Sequence, residues 1–164
     1  MKVKEIMTVN PRVCTATTNL AEAASFMWDK DCGILPVVAK GGVVVGLVTD
    51  RDICIAGATK NRSLSDIVVE EIVTGKVYFC EPEDDVKKAL EIMQEGKVRR
   101  LPVIARDGNL EGILSLNDVT LKAEETTGRK VAEISFRDLV QTYKAICAPR
   151  LPVEQTTKSM KATA

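Results

Sequence analysis

Residues 46–52 read Gly-Leu-Val-Thr-Asp-Arg-Asp, and residues 112–118 read Gly-Ile-Leu-Ser-Leu-Asn-Asp. Each stretch contains a glycine, two apolar residues, a hydroxyl side chain and, three positions after the hydroxyl, an aspartate. A short apolar run bounded by glycine favours a strand, and Thr or Ser followed three residues later by an acidic residue marks the start of a helix. Each stretch therefore predicts a strand that passes directly into a helix.

The two stretches belong to an internal repeat with a period of 66 residues. Residues 3–53 align without gaps to residues 69–119, and 14 of the 51 aligned positions are identical. Unrelated sequences of ordinary composition match at about one position in sixteen, so chance does not explain the similarity. A unit of about 50 residues buries too little apolar surface to be stable alone. We therefore expect the two copies to pack against each other around a pseudo-twofold axis.

Both copies predict the element order β-α-β-β-α. A short apolar strand, at Val13–Cys14 in the first copy and at 77–80 in the second, precedes a helix with apolar residues at helical spacing. Two further strands follow in the first copy, at 35–39 and 43–48, and a glycine-containing turn of the kind that hairpins need joins them. The predicted fold class is α/β (α+β), with two such repeats packed sheet to sheet and a C-terminal helix.

Four segments follow from the repeat and from the composition of the remainder. We assign 1–68 to the first repeat with its linker and 69–128 to the second repeat. Apolar residues between Val131 and Cys147 recur near helical spacing with charges between them, which predicts an amphipathic helix over 129–148. The polar stretch 149–164 is expected to be a disordered tail or an interaction strap.

The charge balance makes several classes of partner improbable. The 164 residues include 23 Lys and Arg and 23 Asp and Glu, whereas nucleic acid and anionic membrane surfaces select proteins with an excess of positive charge. No apolar run approaches the roughly 20 residues of a membrane span. The N-terminus lacks the apolar stretch of a secretory signal. The expectation is a cytoplasmic protein that binds neither nucleic acid nor membrane.

The residue types also disfavour catalysis. The chain has no histidine, and its five cysteines never form a Cys-x-x-Cys pair, so the commonest general base and the usual zinc-ligand spacings are absent. We find no paired acids or activated nucleophile at convincing spacing. The sequence predicts no catalytic residues, no metal site and no required cofactor, and the chain is not expected to be an enzyme.

The Thr49–Asp52 and Ser115–Asp118 pairs have two interpretations, and both stay open on the residues alone. The pairs can simply cap helices, the hydroxyl accepting a backbone N–H and the acid favouring the positive helix end. They can also form a nucleotide site, in which the helix start and hydroxyl hold a phosphate and the carboxylate accepts hydrogen bonds from a ribose diol. Adenine nucleotide is a chemically coherent ligand for the second arrangement.

The flanking motifs resemble a known family. The strands Ile34–Val37 and Arg100–Val103 carry a Pro-Val pair, the Gly-x-x-Thr/Ser-x-x-Asp stretch occurs twice, and an entry helix before the first strand ends in the Met-Thr-like segment 6–8. Together these features resemble a free-standing tandem CBS-domain pair, also called a Bateman module. The resemblance implies sheet-packed repeats, a disc-like homodimer, and regulatory binding of AMP, ADP, ATP or S-adenosylmethionine in clefts between the repeats.

The resemblance also implies roles for individual residues. Asp52 and Asp118 would bind ribose hydroxyls, and Thr49 and Ser115 would lie beside the phosphates. Further residues implied in nucleotide binding are Thr15, Ile34, Pro36, Arg51, Arg99, Arg100 and Pro102. Glu81 stands where the first copy has Thr15 and would repel phosphate, so the two sites are not expected to be equal.

Alternatives remain for the arginines and for the whole chain. Arg51, Arg99 and Arg100 can clamp a phosphate, or they can form a solvated basic face or pair with carboxylates at a dimer contact. Phe26, Met27 and Trp28 are interpreted as core or dimer-face residues. The leading hypothesis is an adenine-nucleotide sensor that acts on an unidentified protein effector in trans. The alternative is a structural or protein-interaction module that binds no ligand.

Overall fold

A computed structural model describes residues 1–73, 76–125 and 132–149. Each repeat contains a helix, two strands and a second helix in the expected order, and one more helix follows the second repeat. In chain order the elements are β1 (Thr8–Val9), α1 (Leu20–Asp29), β2 (Ile34–Val38), β3 (Val44–Thr49), α2 (Asp50–Thr59), α3 (Val86–Gly96), β4 (Arg100–Ile104), β5 (Leu110–Ser115), α4 (Leu116–Thr120) and α5 (Phe136–Cys147). Short 3₁₀ helices lie at Val3–Glu5, Leu64–Asp66 and Val69–Glu71.

The two hairpins have the same register. Strand β2 pairs antiparallel with β3 so that Ile34 lies opposite Thr49, and β4 pairs with β5 so that Arg100 lies opposite Ser115. The hairpin tips meet across the pseudo-twofold axis, where an antiparallel bridge joins Val43 to Asn109. The bridge joins equivalent ends of the two hairpins, because residues 43 and 109 are separated by the 66-residue period.

Strand β1 of the first repeat extends the sheet of the second. Thr8 and Val9 pair antiparallel with Ile113 and Gly112 of β5. A Cβ added at Gly112 would lie only 2.8 Å from the Thr8 carbonyl oxygen. A glycine is therefore required for this close approach between the two backbones.

The leading segment of each copy fills the core of the other copy. Val3 is fully buried among the core residues of the second repeat, and Val69 is fully buried among those of the first. Equivalent backbone hydrogen bonds hold the two segments, from Val3 N–H to Asp84 C=O at 3.0 Å and from Val69 N–H to Thr18 C=O at 2.9 Å. The two repeats are thus interlocked, and each core is complete only when the other repeat is present.

The predicted fold class is confirmed, and the predicted C-terminal helix is present as α5. The short strands expected at Val13–Cys14 and 77–80 are wrong in extent, because only the isolated parallel bridges Cys14–Val37 and Cys80–Val103 form there. Each of these segments meets the neighbouring strand at one residue and then turns away. The expected tail falls almost entirely on residues 150–164, outside the described residues, as do residues 129–131 of the predicted C-terminal segment.

Candidate functional site

A cavity of about 650 Å³ lies between the two repeats. The first repeat contributes the segment around β1 and the turn after α1, and the second repeat contributes the ends of β4 and β5 and the start of α4. Its lining includes the sequence-predicted residues Ile34, Arg100, Ser115 and Asp118. A volume of this size is within the range of small-molecule sites in proteins.

Ser115 and Asp118 form a capping box at the start of α4. Asp118 Oδ2 accepts hydrogen bonds from the Ser115 N–H at 2.8 Å and from the Ser115 hydroxyl at 2.6 Å, and Ser115 Oγ accepts from the Asp118 N–H at 3.2 Å. These bonds fix the carboxylate at the cavity wall. Among the described residues no donor reaches Asp118 Oδ1, so that oxygen is available to a ligand hydroxyl.

Positive charge in the cavity comes from side chains. Arg12, Lys30 and Arg100 line it, together with the carboxylates of Asp31 and Asp118. The Arg12 guanidinium lies 3.8 Å from the centroid of the Phe26 ring, a cation–π distance that favours this position of the charge. Helix α4 has only five residues, so its dipole is a small contribution beside three cationic side chains.

The equivalent residues of the first repeat form the same local structure in different surroundings. Asp52 Oδ2 accepts from the Thr49 N–H at 2.9 Å and from the Thr49 hydroxyl at 2.6 Å. Thr49, Arg51 and Asp52 do not line the cavity described above. The part of the second repeat equivalent to β1 of the first falls on residues 74–75, which lie outside the described residues.

The other predicted residues are not gathered at the cavity. Thr15 is exposed, and its hydroxyl lies 3.1 Å from the Thr18 hydroxyl. Pro36 and Pro102 are buried within β2 and β4, where their carbonyls accept the N–H groups of Cys14 and Cys80. Arg99 is exposed and its carbonyl accepts the Leu116 N–H at 2.9 Å. The structure thus brings together four of the eleven predicted residues, Ile34, Arg100, Ser115 and Asp118.

Several lining residues were not singled out from the sequence. Arg12, Lys30 and Asn117 line the cavity. Arg12 and Lys30 lie outside the motifs, and Asn117 is a spacer position within the motif of residues 112–118. A signal for the two cations existed in the repeat alignment, because the second copy has Tyr78 and Gly96 at the equivalent positions. Because these two cations have no counterpart in the second copy, the cleft that contains them cannot be equivalent to the corresponding cleft on the other side of the repeat pair.

A second cavity of about 440 Å³ lies next to the first. It is lined by residues of α1 and α2, including Met27, Trp28 and Ile53, and it shares Asp31, Cys32 and Arg100 with the larger cavity. The two cavities therefore have a common wall at the turn after α1.

No helix among the described residues is long and apolar enough to cross a membrane. No group of three or more His, Cys, Asp or Glu residues within the described ranges is arranged to hold a metal ion.

Comparison with known proteins gives a consistent assignment. The family model for the CBS domain matches residues 3–58 and again residues 69–125. The uncharacterized protein YlbB of Bacillus subtilis (strain 168) is 34% identical over 140 residues, which cover 84% of this chain and 93% of that protein.

Solved structures with the same fold include ligand complexes. The CBS domain pair of protein MJ0100 in complex with 5'-methylthioadenosine and S-adenosyl-L-methionine has a TM-score of 0.67 at 25% identity, covering 74% of this chain and 98% of that chain. CBSX2 in complex with AMP has a TM-score of 0.65 at 28% identity, covering 73% of this chain and 93% of that chain. The bound molecules of both neighbours contain adenosine.

Proposed function

The chain belongs to the CBS-domain family, and from this premise we propose that it is a regulatory module that binds an adenine nucleotide in the cavity of about 650 Å³. We place the ribose at Asp118 and the phosphates near Arg12, Lys30 and Arg100. Ile34 would contact the base from the first repeat. In this proposal the chain senses the nucleotide and does not convert it.

The observation that carries the proposal is the position of the Ser115–Asp118 box. A capping box needs only a helix start, yet this one forms part of the wall of a cavity that also contains three cationic side chains. Asp118 has one carboxylate oxygen fixed by Ser115, and the other can accept a hydrogen bond from a ribose hydroxyl. The bound adenosine compounds of the structural neighbours support the same ligand class.

The charges of the cavity favour phosphate-bearing ligands. Arg12, Lys30 and Arg100 would attract the phosphates of AMP, ADP or ATP. The sulfonium of S-adenosylmethionine is cationic and would be repelled by the same three side chains. The lining contains one carboxylate besides Asp118, that of Asp31, which would attract the sulfonium. We therefore rank the nucleotides above S-adenosylmethionine for this site.

The first-repeat residues are proposed only as a second and weaker site. Thr49 and Asp52 would bind phosphate and ribose there, with Arg51, Arg99, Thr15, Pro36 and Pro102 around them. Thr49, Arg51 and Asp52 line neither of the two cavities described above, whereas Ser115 and Asp118 line the larger one. We expect this site to have the lower affinity for nucleotide.

The regulatory action is proposed to be a population shift. A nucleotide that contacts both repeats stabilises the arrangement in which both sets of residues reach it. A homodimer, or an effector protein bound in trans, would detect that arrangement in the cytoplasm. This mode of action needs no catalytic group.

One observation favours the alternative of a structural module. Ser135 and Asp138 form a third capping box, with hydrogen bonds of 2.9 and 2.8 Å to Asp138 Oδ2, and neither residue lines the two cavities described above. The hydrogen-bonded pair alone is therefore no sign of a ligand. If Ser115 and Asp118 also act only as a cap, the protein will bind no nucleotide.

The third box supplies a matched control. Asp118→Asn and Asp138→Asn alter the same kind of cap, so both should lower the melting temperature slightly. We expect Asp118→Asn to weaken nucleotide binding at least tenfold in calorimetric titrations, and Asp138→Asn to leave the affinity within twofold of wild type. A ligand at a hundred times its Kd should add about 2.7 kcal/mol to stability.

The outcomes separate the two functions. Absence of any thermal shift with millimolar AMP, ADP, ATP and S-adenosylmethionine would overturn the sensor proposal and favour the structural module. Equal affinities of the wild type and Asp118→Asn would remove Asp118 from the site. A preference for S-adenosylmethionine over the nucleotides would contradict the ranking by charge.

A further inference from the structure

The smaller cavity, of about 440 Å³, has an apolar wall. Met27, Trp28 and Ile53 form this wall, and the Trp28 side chain is 86% exposed. An indole that is open to solvent beside a concave apolar surface is suited to contact with a further apolar group. The smaller cavity therefore offers a binding surface in addition to the cavity in which we place the nucleotide.

The acidic side chains of the smaller cavity have no cationic partner. Asp31 and Asp50 line the cavity, and both are exposed. In the part of the chain that the structure describes, no basic side chain forms an ion pair with either carboxylate, although Arg100 lines the same cavity. A segment that combines a positive charge with apolar side chains would complement this cavity.

Helix α5 ends near the smaller cavity. Lys97 Nζ donates hydrogen bonds to the carbonyl oxygens of Ala148 at 2.8 Å and of Pro149 at 2.9 Å, which hold the end of α5 beside the end of α3. Lys97 precedes Arg100, a residue of the cavity lining, by three positions. Three residues of chain span at most about 11 Å. The residues that follow Pro149 therefore begin close to the cavity.

The next four residues, 150–153, fit the cavity in charge and in apolar character. They read Arg-Leu-Pro-Val, the same sequence as residues 100–103. In the earlier copy Leu101 and Val103 are both fully buried, so the tetrapeptide supplies two apolar side chains that this chain already buries together. A residue before proline favours an extended backbone, in which four residues span about 13–14 Å. That length is sufficient to enter the cavity from the end of α5.

The charge of the longer segment 150–164 has the sign that the cavity lacks. The segment contains three basic residues, Arg150, Lys158 and Lys161, and one acidic residue, Glu154. Opposite charges around an apolar contact favour association in one register. The first of these basic residues directly precedes the apolar pair, so it would lie at the rim when the apolar side chains lie inside.

We propose that residues 150–153 bind in the smaller cavity of the same chain. The Arg150 guanidinium pairs with Asp31, and the two apolar side chains of the segment contact Met27 and Trp28. Helix α5 is seated on the second repeat, whereas this cavity is lined mainly by the first. The segment thus forms a strap that joins the two repeats, a role that goes beyond the proposed nucleotide binding.

A native thiol permits a direct test of the strap. Cys32 lines the smaller cavity. In the full chain, Cys54→Ser and Cys147→Ser remove the exposed thiols, and Val153→Cys introduces one thiol into the segment. Equilibration with reduced and oxidised glutathione, followed by peptide mass mapping, measures the effective concentration of the introduced thiol at Cys32. We expect a disulfide to Cys32 within a single chain.

The matched control adds Leu151→Asp to the same background. This substitution removes an apolar contact but leaves the number of residues between Pro149 and the introduced thiol unchanged. We expect it to lower the effective concentration at least tenfold, because an undocked segment has only the effective concentration of a flexible tether. Circular dichroism melts check that each variant is folded.

Trp28, the only tryptophan of the chain, tests the charge pairing. Arg150→Asp and Asp31→Lys should each shift its emission to the red and raise its quenching by acrylamide at least twofold, since each places like charges at the proposed contact. Position 31 has a φ of 47°, and its equivalent in the second repeat is Lys97 with a φ of 51°, so the backbone accommodates lysine there. The two substitutions together should restore both signals toward wild type.

Each other outcome would overturn the proposal. A disulfide between two chains would place the segment on a second copy, and equal effective concentrations with and without Leu151→Asp would mean that the segment does not occupy the cavity. Red shifts that the double variant fails to reverse would contradict the pairing of Arg150 with Asp31. The nucleotide site is tested separately, because Asp118→Asn should weaken nucleotide binding and leave the disulfide equilibrium unchanged.

Discussion

Ser115 and Ser135 make the same three hydrogen bonds with an aspartate three residues later, but of the two serines Ser115 alone lines one of the two cavities described above. The bonds satisfy N–H groups at a helix start, which every helix needs. The chemical difference comes from the neighbours, since Arg100 lies opposite Ser115 across the hairpin. A capping pair therefore identifies a helix start reliably and a ligand site only through its surroundings.

Four of the five cysteines should fall into two classes of reactivity, and the half-buried Cys32 stands between them. Burial raises the pKa of the Cys14 thiol to about 11 and that of the Cys80 thiol to about 12, because a buried site disfavours the charged thiolate. Cys54 and Cys147 are exposed. With Ellman's reagent at pH 8 the native protein should release a fast phase from Cys54 and Cys147, and Cys14 and Cys80 should react only on unfolding.

A double variant supplies the control for this assignment. Cys54→Ser with Cys147→Ser should abolish the fast phase and leave the labelling on unfolding intact. Rapid modification of Cys80 in the folded protein, detected by peptide mass, would contradict the burial of that side chain in the second core.

The sequence could predict Ser115 and Asp118 because their motif occurs in both copies, and Ile34 and Arg100 because they stand beside the Pro-Val pair that both copies share. Arg12 and Lys30 could not be found in the same way, since each lies in a segment whose chemistry changes between the copies. Their contribution depends on the distance between β1 of one repeat and β5 of the other. That distance is a tertiary property, and no local pattern encodes it.

The longer elements were predictable from their periodicity, and the shortest ones were not. Helices α1 and α3 and the two hairpins have apolar residues at regular spacing. Strand β1 has two residues and pairs with the opposite repeat, so it has neither a period nor a local partner. The strand predicted at Val13–Cys14 is wrong because two apolar residues are too few to show a period. Only Cys14 forms a bridge there.

The start of α5 should respond to acid through Asp138. Partial burial by itself would raise the pKa of Asp138, but hydrogen bonds from the Ser135 N–H and hydroxyl outweigh it and lower that pKa below its usual value. A lowered pKa in the folded state contributes stability above the unfolded value of about 3.9. This stability is lost as the pH falls through the folded pKa.

Asp138→Asn isolates this contribution. At pH 7 the substitution should lower the free energy of unfolding by roughly 0.3–1 kcal/mol, the usual range for a negative charge in the first turn of a helix. The difference in melting temperature between wild type and variant should narrow as the pH falls below about 4. A difference that stays constant from pH 7 to pH 2 would show that ionisation of Asp138 does not support the helix.

The molecule as a whole is two copies that complete each other. The 66-residue period predicts that the copies pack together, but it does not tell which residues of one copy enter the other. In the structure Val3 lies in the second core and Val69 in the first. Each packed core therefore includes a leading segment that belongs, in the sequence, to the other copy. An alignment of the two copies cannot reveal this exchange, because Val3 and Val69 occupy equivalent positions in it.

Exchange of the leading segments predicts where two matched substitutions will act. Val3→Ala and Val69→Ala each remove two methyl groups from a fully buried site, and each should cost roughly 1.5–3 kcal/mol of stability. Native-state hydrogen exchange should then show faster local opening of α3 and β4 in Val3→Ala, and of α1 and β2 in Val69→Ala. The exposed Val140→Ala should change neither region. If Val3→Ala instead accelerates exchange in α1 and β2, each copy closes its own core. If the crossed pattern holds, either half expressed alone will lack a core residue that only the other half supplies.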